Sequence, residues 1–263
     1  MTDLNTVCKY LDQFAPPRLA EDWDNVGLLV GDRQRDVRRV MTCLTITPAS
    51  AEEGVREGAD LIVTHHPLPF RPLKRLTADS TPGRLLLQLI RAGVAVYSPH
   101  TAFDSAAAGI NQQLAEGLGL CDIVPLVAKS EDMPDLGSGR CGNLAPPLTL
   151  AELAERLKAF LRLDGLHVVG PAEMRLSRVA VACGAAGEFL DPAQHAGCDT
   201  LVTGETTFHT CLEAEAQGMA LLLPGHFASE RFAVANLAEQ LAARFAELHV
   251  WASRQERDPL RWT

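Results

Sequence analysis

Between Val40 and Ser98 the chain alternates apolar strand, helix, apolar strand, helix, apolar strand, and that order leaves few folds open. Val40-Met41-Thr42-Cys43-Leu44 reads as a buried strand. Pro48 then opens a short helix over Ala49–Glu57 that Gly58 stops, and Ala59-Asp60-Leu61-Ile62-Val63-Thr64 follows as a second apolar run. A helix over Arg84–Ala92 and a strand over Val94–Ser98 extend the series. Successive strands joined by a helix lie parallel and connect by a right-handed crossover, so the predicted fold class is α/β with largely parallel sheets flanked by helices.

Flanking segments fit the same plan. Leu4, Val7, Leu11 and Phe14 share one face of a first helix, with Thr2 as its expected N-cap and Ala15-Pro16-Pro17 as its end. The turn residues of Trp23-Asp24-Asn25-Val26-Gly27 lead into the strand Leu28-Leu29-Val30. A helix is expected around Ala106–Leu118, an irregular stretch over Ser130–Gly142, and a helix over Leu150–Leu161 with a Thr149/Glu152 capping box. Strands over Val179–Cys183, Thr200–Thr203 and Ala220–Leu223 then alternate with helices near Glu188–Ala196 and His209–Ala216. A long helix over Ala228–Leu248 closes the series.

Composition narrows the function classes. With 263 residues and 47% hydrophobic content, the chain can bury one large core or two modest ones. Its 24 basic residues against 33 acidic give a net charge of -9, which disfavours nucleic acid or an anionic membrane as a general partner. Seven scattered cysteines with no C-x-x-C pair fit reduced thiols in a cytoplasm, and Cys43 and Cys183 read as small buried residues. The N-terminus lacks the pattern of an export signal and no apolar stretch approaches a membrane span, so a cytoplasmic, soluble protein is expected.

In open α/β sheets, ligands bind beyond the carboxyl ends of the strands, and three polar clusters follow strands here. His65-His66 closes the run ending at Thr64, where Pro67 holds His66 out of helical conformation. His100 and Asp104 follow the strand ending at Ser98. His226 and Glu230 stand one helical turn apart after Ala220–Leu223. Imidazoles and carboxylates without thiolates suit zinc, manganese or iron(II). Five ligands with two carboxylates exceed what one tetrahedral zinc needs, whereas two ions about 3.5–4 Å apart would use them all and activate water for hydrolysis. Each residue also has a structural reading: Asp104 as a helix N-cap, His226 as a cap or packing residue, Glu230 as a solvated carboxylate. Glu205 and His209 follow the strand ending at Thr203 and, with His100, are the candidates for substrate binding or proton transfer; the first two equally suit capping of the next helix. Cys183-Gly184-Ala185-Ala186-Gly187 lacks the signatures of a phosphate loop and reads as a tight turn.

Trp23-Asp24-Asn25-Val26-Gly27-Leu28, Thr64-His65-His66-Pro67, Tyr97-Ser98-Pro99-His100-Thr101, Asp104, Thr203-Gly204-Glu205, Gly225-His226 and Glu230 together resemble the family of GTP cyclohydrolase 1 type 2 homologues, the NGG-interacting-factor-three-like proteins. The resemblance implies that His65, His66, Asp104, His226 and Glu230 bind two divalent metal ions. It also implies a toroidal homohexamer, a trimer of dimers, and a small-molecule substrate, with GTP opened at purine C8 as the chemistry of the family name. Thr45 stands where members often carry Asp, and Ala102 where many carry Asn. The chain resembles the compact form without an inserted domain, with a metal-binding lobe over 1–125 plus 221–263, a second lobe over 126–220, and a metal site between them. A metal-dependent hydrolase is the leading expectation; a non-enzymatic metal-binding, metal-delivery or scaffold protein is the alternative.

Overall fold

The structure is a computed structural model that describes residues 2–130 and 136–261. The chain divides into two compact units, Met1–Phe103 with Ala233–Pro259, and Asp104–Phe232 with Leu260–Thr263. The first unit and the expected metal-binding lobe share residues 1–103 and 233–259.

The first unit carries a five-stranded sheet in the order His249–Ala252, Arg39–Cys43, Leu61–Thr64, Ala95–Ser98, Gly27–Val30. The first four strands are parallel, and the last is antiparallel to its neighbour. Both expected crossover helices form. Pro48–Arg56 starts on a Thr47 capping box with Pro at its first turn, and Thr81–Ala92 ends on Gly93 at φ 70, the left-handed cap that glycine adopts without strain. Met41, Cys43, Ile62 and Val96 from the strands pack on Leu85, Leu86 and Leu89 from the second crossover helix, which is why these short strands are apolar throughout. The first helix, Leu4–Phe14, is capped by Asp3 rather than Thr2: Thr6 donates to the Asp3 carboxylate at 2.8 Å, while Thr2 pairs with Val37 in a short strand.

The strand His249–Ala252 was not anticipated, because its residues follow on from the expected long helix, which ends earlier, at Arg244. Tertiary contacts hold it there. The buried carboxylate of Glu53 accepts from Ser253 Oγ at 2.6 Å, Trp251 Nε1 at 3.2 Å and the backbone of Arg254 and Gln255 at 3.0 Å. Burial works to raise this carboxyl, and those four donors outweigh it and leave it below the usual carboxylate range.

The second unit carries a six-stranded mixed sheet in the order His167–Val169, Ala220–Leu223, Thr200–Glu205, Arg175–Ala185, Arg140–Thr149, Cys121–Val124. The second, third and fourth of these are parallel, and the other pairings are antiparallel. Helix Leu150–Leu161 forms on its Thr149/Glu152 capping box as expected. The long strand Arg140–Thr149 was hidden in the sequence by Pro146 and Pro147; its register shifts between Asn143 and Leu148, so the ladder skips the residues that cannot donate. Of the expected irregular stretch 130–142, residues 131–135 lie outside the described residues. The helix expected around Ala106–Leu118 forms as Ile110–Gly117, entered from Gly109 in extended conformation, and a separate short helix, His100–Ser105, precedes it.

Arg140 explains the break between those helices. Its side chain is buried, and its guanidinium donates to the carbonyls of Gly137 and Gly139 at 2.7 Å, Ala106 at 2.8 Å and Ser105 at 3.2 Å, and to Gln112 Oε1 at 3.0 Å. A planar fork of donors satisfies carbonyls that a continuous helix would have bonded internally. Among the described residues no helix is long and apolar enough to cross a membrane.

Candidate metal centre

Two groups of candidate ligands form, one in each unit. In the first unit the chain bends at His65 and His66 just beyond Leu61–Thr64, yet both residues stay tied to the neighbouring strand, with His65 N donating to Cys43 O at 3.0 Å and His66 N to Leu44 O at 2.9 Å. Ser98 Oγ, at the end of the adjacent strand, donates to His65 O at 2.6 Å. The bend lets neighbouring side chains that would point to opposite faces of a strand converge. His100 joins them: one ligand atom from each of His65, His66 and His100 lies within 4.8 Å of the others, and the ring centroids are 5.0–5.6 Å apart. His100 was expected as a proton-transfer residue, and its position suits a ligand equally.

Two of these rings are oriented from behind. His100 Nδ1 lies 2.7 Å from Asp24 Oδ1, and the same carboxylate accepts from the backbone of Asn25 at 2.7 Å, from the backbone of Thr101 at 3.1 Å and from the Thr101 hydroxyl. Burial by itself would raise the Asp24 carboxyl, but the bonds from His100 and Thr101 outweigh it and hold it at about 2. His66 Nδ1 lies 2.7 Å from Thr45 Oγ1, and the backbone of Thr45 donates in turn to Glu256 at 2.7 Å. An imidazole held through Nδ1 presents Nε2 as its ligand atom, and such outer partners are the usual support of metal-binding histidines. His100 also has a φ of 28°, in the left-handed region that a residue with a side chain enters only at a cost, which fits a ring placed for a purpose.

In the second unit His226 begins the helix His226–Arg244, and its imidazole lies between two carboxylates, with Nδ1 2.9 Å from Glu205 Oε1 and Nε2 3.2 Å from the buried Glu230 Oε2. The Glu230 bond lifts the His226 imidazolium, burial works against it, and Glu205 adds to the lift, leaving it at about 9. Glycine makes this placement possible. A Cβ at Gly184, where φ is +70°, would sit 2.4 Å from Glu230 Oε1, and one at Gly204 would sit 2.6 Å from Ser229 Oγ and 3.0 Å from His226 Cα. The Gly184 amide also donates to Ser229 Oγ at 3.0 Å, so the Cys183–Gly187 segment seats the helix start.

Asp104 lies within helix His100–Ser105, and its Oδ1 accepts from Cys183 Sγ at 3.2 Å. Asn111 locks the pair, accepting from Cys183 N at 2.7 Å and donating to Asp104 O at 3.2 Å. Burial first, then the charges of Asp104 and Glu230, push the Cys183 thiol well up, so it keeps its proton and acts as a donor. A cavity of about 400 Å³ opens beside Glu205, lined also by Glu188, Thr206, Thr207 and Thr210. His209 does not join this group. It is exposed on helix Phe208–Ala216, whose N-cap is Thr207, and its ring contacts Phe208.

Asp24 and the Cys183 thiol were not foreseen as partners of the candidate ligands. Asp24 sits in a segment that reads as turn-forming, and Cys183 in an apolar strand; only spatial neighbours reveal their roles. Three imidazoles, one backed by a carboxylate, and a second group of imidazole and carboxylates are a donor set that fits divalent ions of borderline hardness.

The sequence as a whole agrees with known proteins. A family model described as Duf34/NIF3 (NGG1p interacting factor 3) matches residues 2–259. A Clostridium perfringens protein named GTP cyclohydrolase 1 type 2 homolog is 32% identical over 257 residues, covering 97% of this chain and 98% of its own. A Streptomyces coelicolor protein of the same name is 35% identical over 271 residues, covering 100% and 94%. A solved Bacillus cereus structure described as related to NIF3 superposes with a TM-score of 0.90 at 23% identity, covering 100% of this chain and 99% of that one, which shows the shared fold.

Proposed function

We propose that this chain, which belongs to the Duf34/NIF3 family, is a metal-dependent hydrolase whose ligands to two divalent ions are His65, His66, Asp104, His226 and Glu230. The observation that carries the reading is the group of three imidazoles within 4.8 Å, two of them oriented through Nδ1 by Asp24 and Thr45. When bound, divalent ions supply Lewis acidity and bring the ionisation of water toward neutral pH. The protein's part is orientation and proton handling. Asp24 fixes the His100 ring, the Cys183 thiol engages one oxygen of Asp104, and Glu205, beside the cavity, is placed to accept or return a proton at its exposed carboxylate. The relatives' name points to a purine nucleotide opened at C8 as one substrate. The homohexamer belongs to the same reading and is checked by sedimentation of the native protein.

Incubation of the zinc-, manganese- or iron-loaded protein with GTP and a panel of phosphoesters and cyclic amides tests the activity, with His65→Ala as control. A product that needs both metal and His65 is expected. Absence of any such product would replace hydrolysis by metal binding, delivery or scaffolding.

Metal uptake should depend on pH. Without metal, His226 holds its proton up to about pH 9, and ligation through Nε2 requires that proton to leave. Apparent affinity should therefore rise about tenfold per pH unit through neutral pH and level off above 9. Titration calorimetry in buffers of different ionisation enthalpy would show at least one proton released; none released would remove His226 from the ligand set. The same raised value stabilises the metal-free fold below the ordinary histidine value near 6.5, and that contribution is lost as pH climbs through 9.

A further inference from the structure

Beside the group of three imidazoles two large aromatic side chains stand open to solvent, Trp23 at 62% exposure and Phe70 at 47%. Their ring centroids are 5.9 Å apart at 40°, and both meet the His100 ring edge-on, at 6.0 Å and 75° for Trp23 and 5.8 Å and 74° for Phe70. Neither is on a loose loop. Trp23 precedes Asp24, whose carboxylate holds His100, and Asn25 Nδ2 donates to Pro69 O at 2.8 Å, which fastens the Trp23 loop to the segment carrying Phe70. Exposed aromatic surface is unfavourable in water, and here it is kept in place by part-buried polar bonds. Directly after Phe70 the chain places Arg71, Lys74 and Arg75, all exposed, on a protein whose net charge is -9.

We propose that Trp23 and Phe70 form the recognition face for a planar heteroaromatic ring that carries negative charge, with the ring lying against the indole and phenyl groups and the anion met by Arg71, Lys74 and Arg75. The inference rests on the proposed function, since it names the class of ligand taken beside the same imidazoles. Aromatic side chains stack on any conjugated ring, and guanidinium and ammonium groups supply the charge that such a ligand needs. The two rings contact the imidazole that Asp24 orients, so a ligand resting on them is placed next to the candidate metal ligands rather than at a remote surface.

The test is binding of guanosine monophosphate, uridine monophosphate, ribose 5-phosphate and inorganic phosphate to the metal-loaded native protein, followed by tryptophan fluorescence and equilibrium dialysis. Both nucleotides should bind at least about tenfold more tightly than ribose 5-phosphate, and Trp23→Ala and Phe70→Leu should each weaken nucleotide binding by about 5- to 100-fold. Arg71→Gln with Arg75→Gln should weaken the nucleotides more at low salt than at high salt. Equal binding of nucleotide and ribose 5-phosphate would overturn the proposal, as would native affinity in Trp23→Ala. Dissociation of the native oligomer by Trp23→Ala would also overturn it, by making the pair a contact between copies. Metal content is measured on the same samples: a protein that holds metal but ignores the ring defeats only this inference, and one that binds the ring without metal defeats only the hydrolase reading.

Discussion

Replacing His65 by alanine is expected to strip metal from at least one site while leaving the chain folded. The residue is 2% exposed and its ring contacts both His66 and His100, so its loss breaks up the group of three imidazoles. The backbone bonds that hold the segment, His65 N to Cys43 O and Ser98 Oγ to His65 O, do not involve the imidazole and persist. Loss of an outer partner of a metal ligand typically costs about 10- to 100-fold in affinity, so loss of a ligand itself should cost at least about 100-fold. Glu230→Ala is the matching change in the second unit, removing one of the two carboxylates beside His226. Elemental analysis gives metal per chain, and far-ultraviolet circular dichroism checks the fold. Unchanged metal content in both variants would sink the ligand assignment.

A second large effect is expected at Arg140, whose guanidinium holds the backbone just after Asp104. Arg140→Met keeps the apolar volume but removes the guanidinium from the carbonyls of Ser105, Ala106, Gly137 and Gly139, of which Ala106 keeps the Gly109 amide at 2.9 Å and Gly139 the Leu126 amide at 3.4 Å. A hydrogen bond to a charged donor contributes about 1.5–3 kcal/mol, so losing these together should remove roughly 3–5 kcal/mol, a large share of the 5–15 kcal/mol that holds a typical fold. A fall in melting temperature of roughly 10 °C follows from that loss. Arg140→Lys should recover only part of it, because a single ammonium cannot reproduce a planar fork. A melting temperature within about 2 °C of the native one in Arg140→Met would show that water or a local shift replaces the guanidinium.

Much of the fold was legible because it depends on local periodicity. The strands Leu61–Thr64 and Ala220–Leu223 and the helix Leu150–Leu161 stand where apolar runs, caps and glycines place them. What could not be read were elements whose reason is a distant partner. His249–Ala252 is a strand because Arg39–Cys43 offers an edge and Glu53 fastens the residues beyond it. Arg140–Thr149 is a strand despite its prolines because neighbours on both sides bond to it. The helix expected from about Ala106 starts only at Ile110, because Arg140 claims the carbonyls of Ser105 and Ala106 ahead of it.

The candidate ligands show the same division. Sequence alone determined which imidazoles and carboxylates stand at strand ends and helix starts, because strand and helix periods set where each run stops and which neighbours share a face. Tertiary structure alone decided that His100 joins His65 and His66, that Asp24 and Thr45 lie behind two of the rings, that Cys183 meets Asp104, and that His209 stays apart. The physical reason is range: a strand end is a local property of a few residues, whereas a hydrogen bond of under 3 Å between Asp24 and His100 depends on every packed element that carries the two loops to one place.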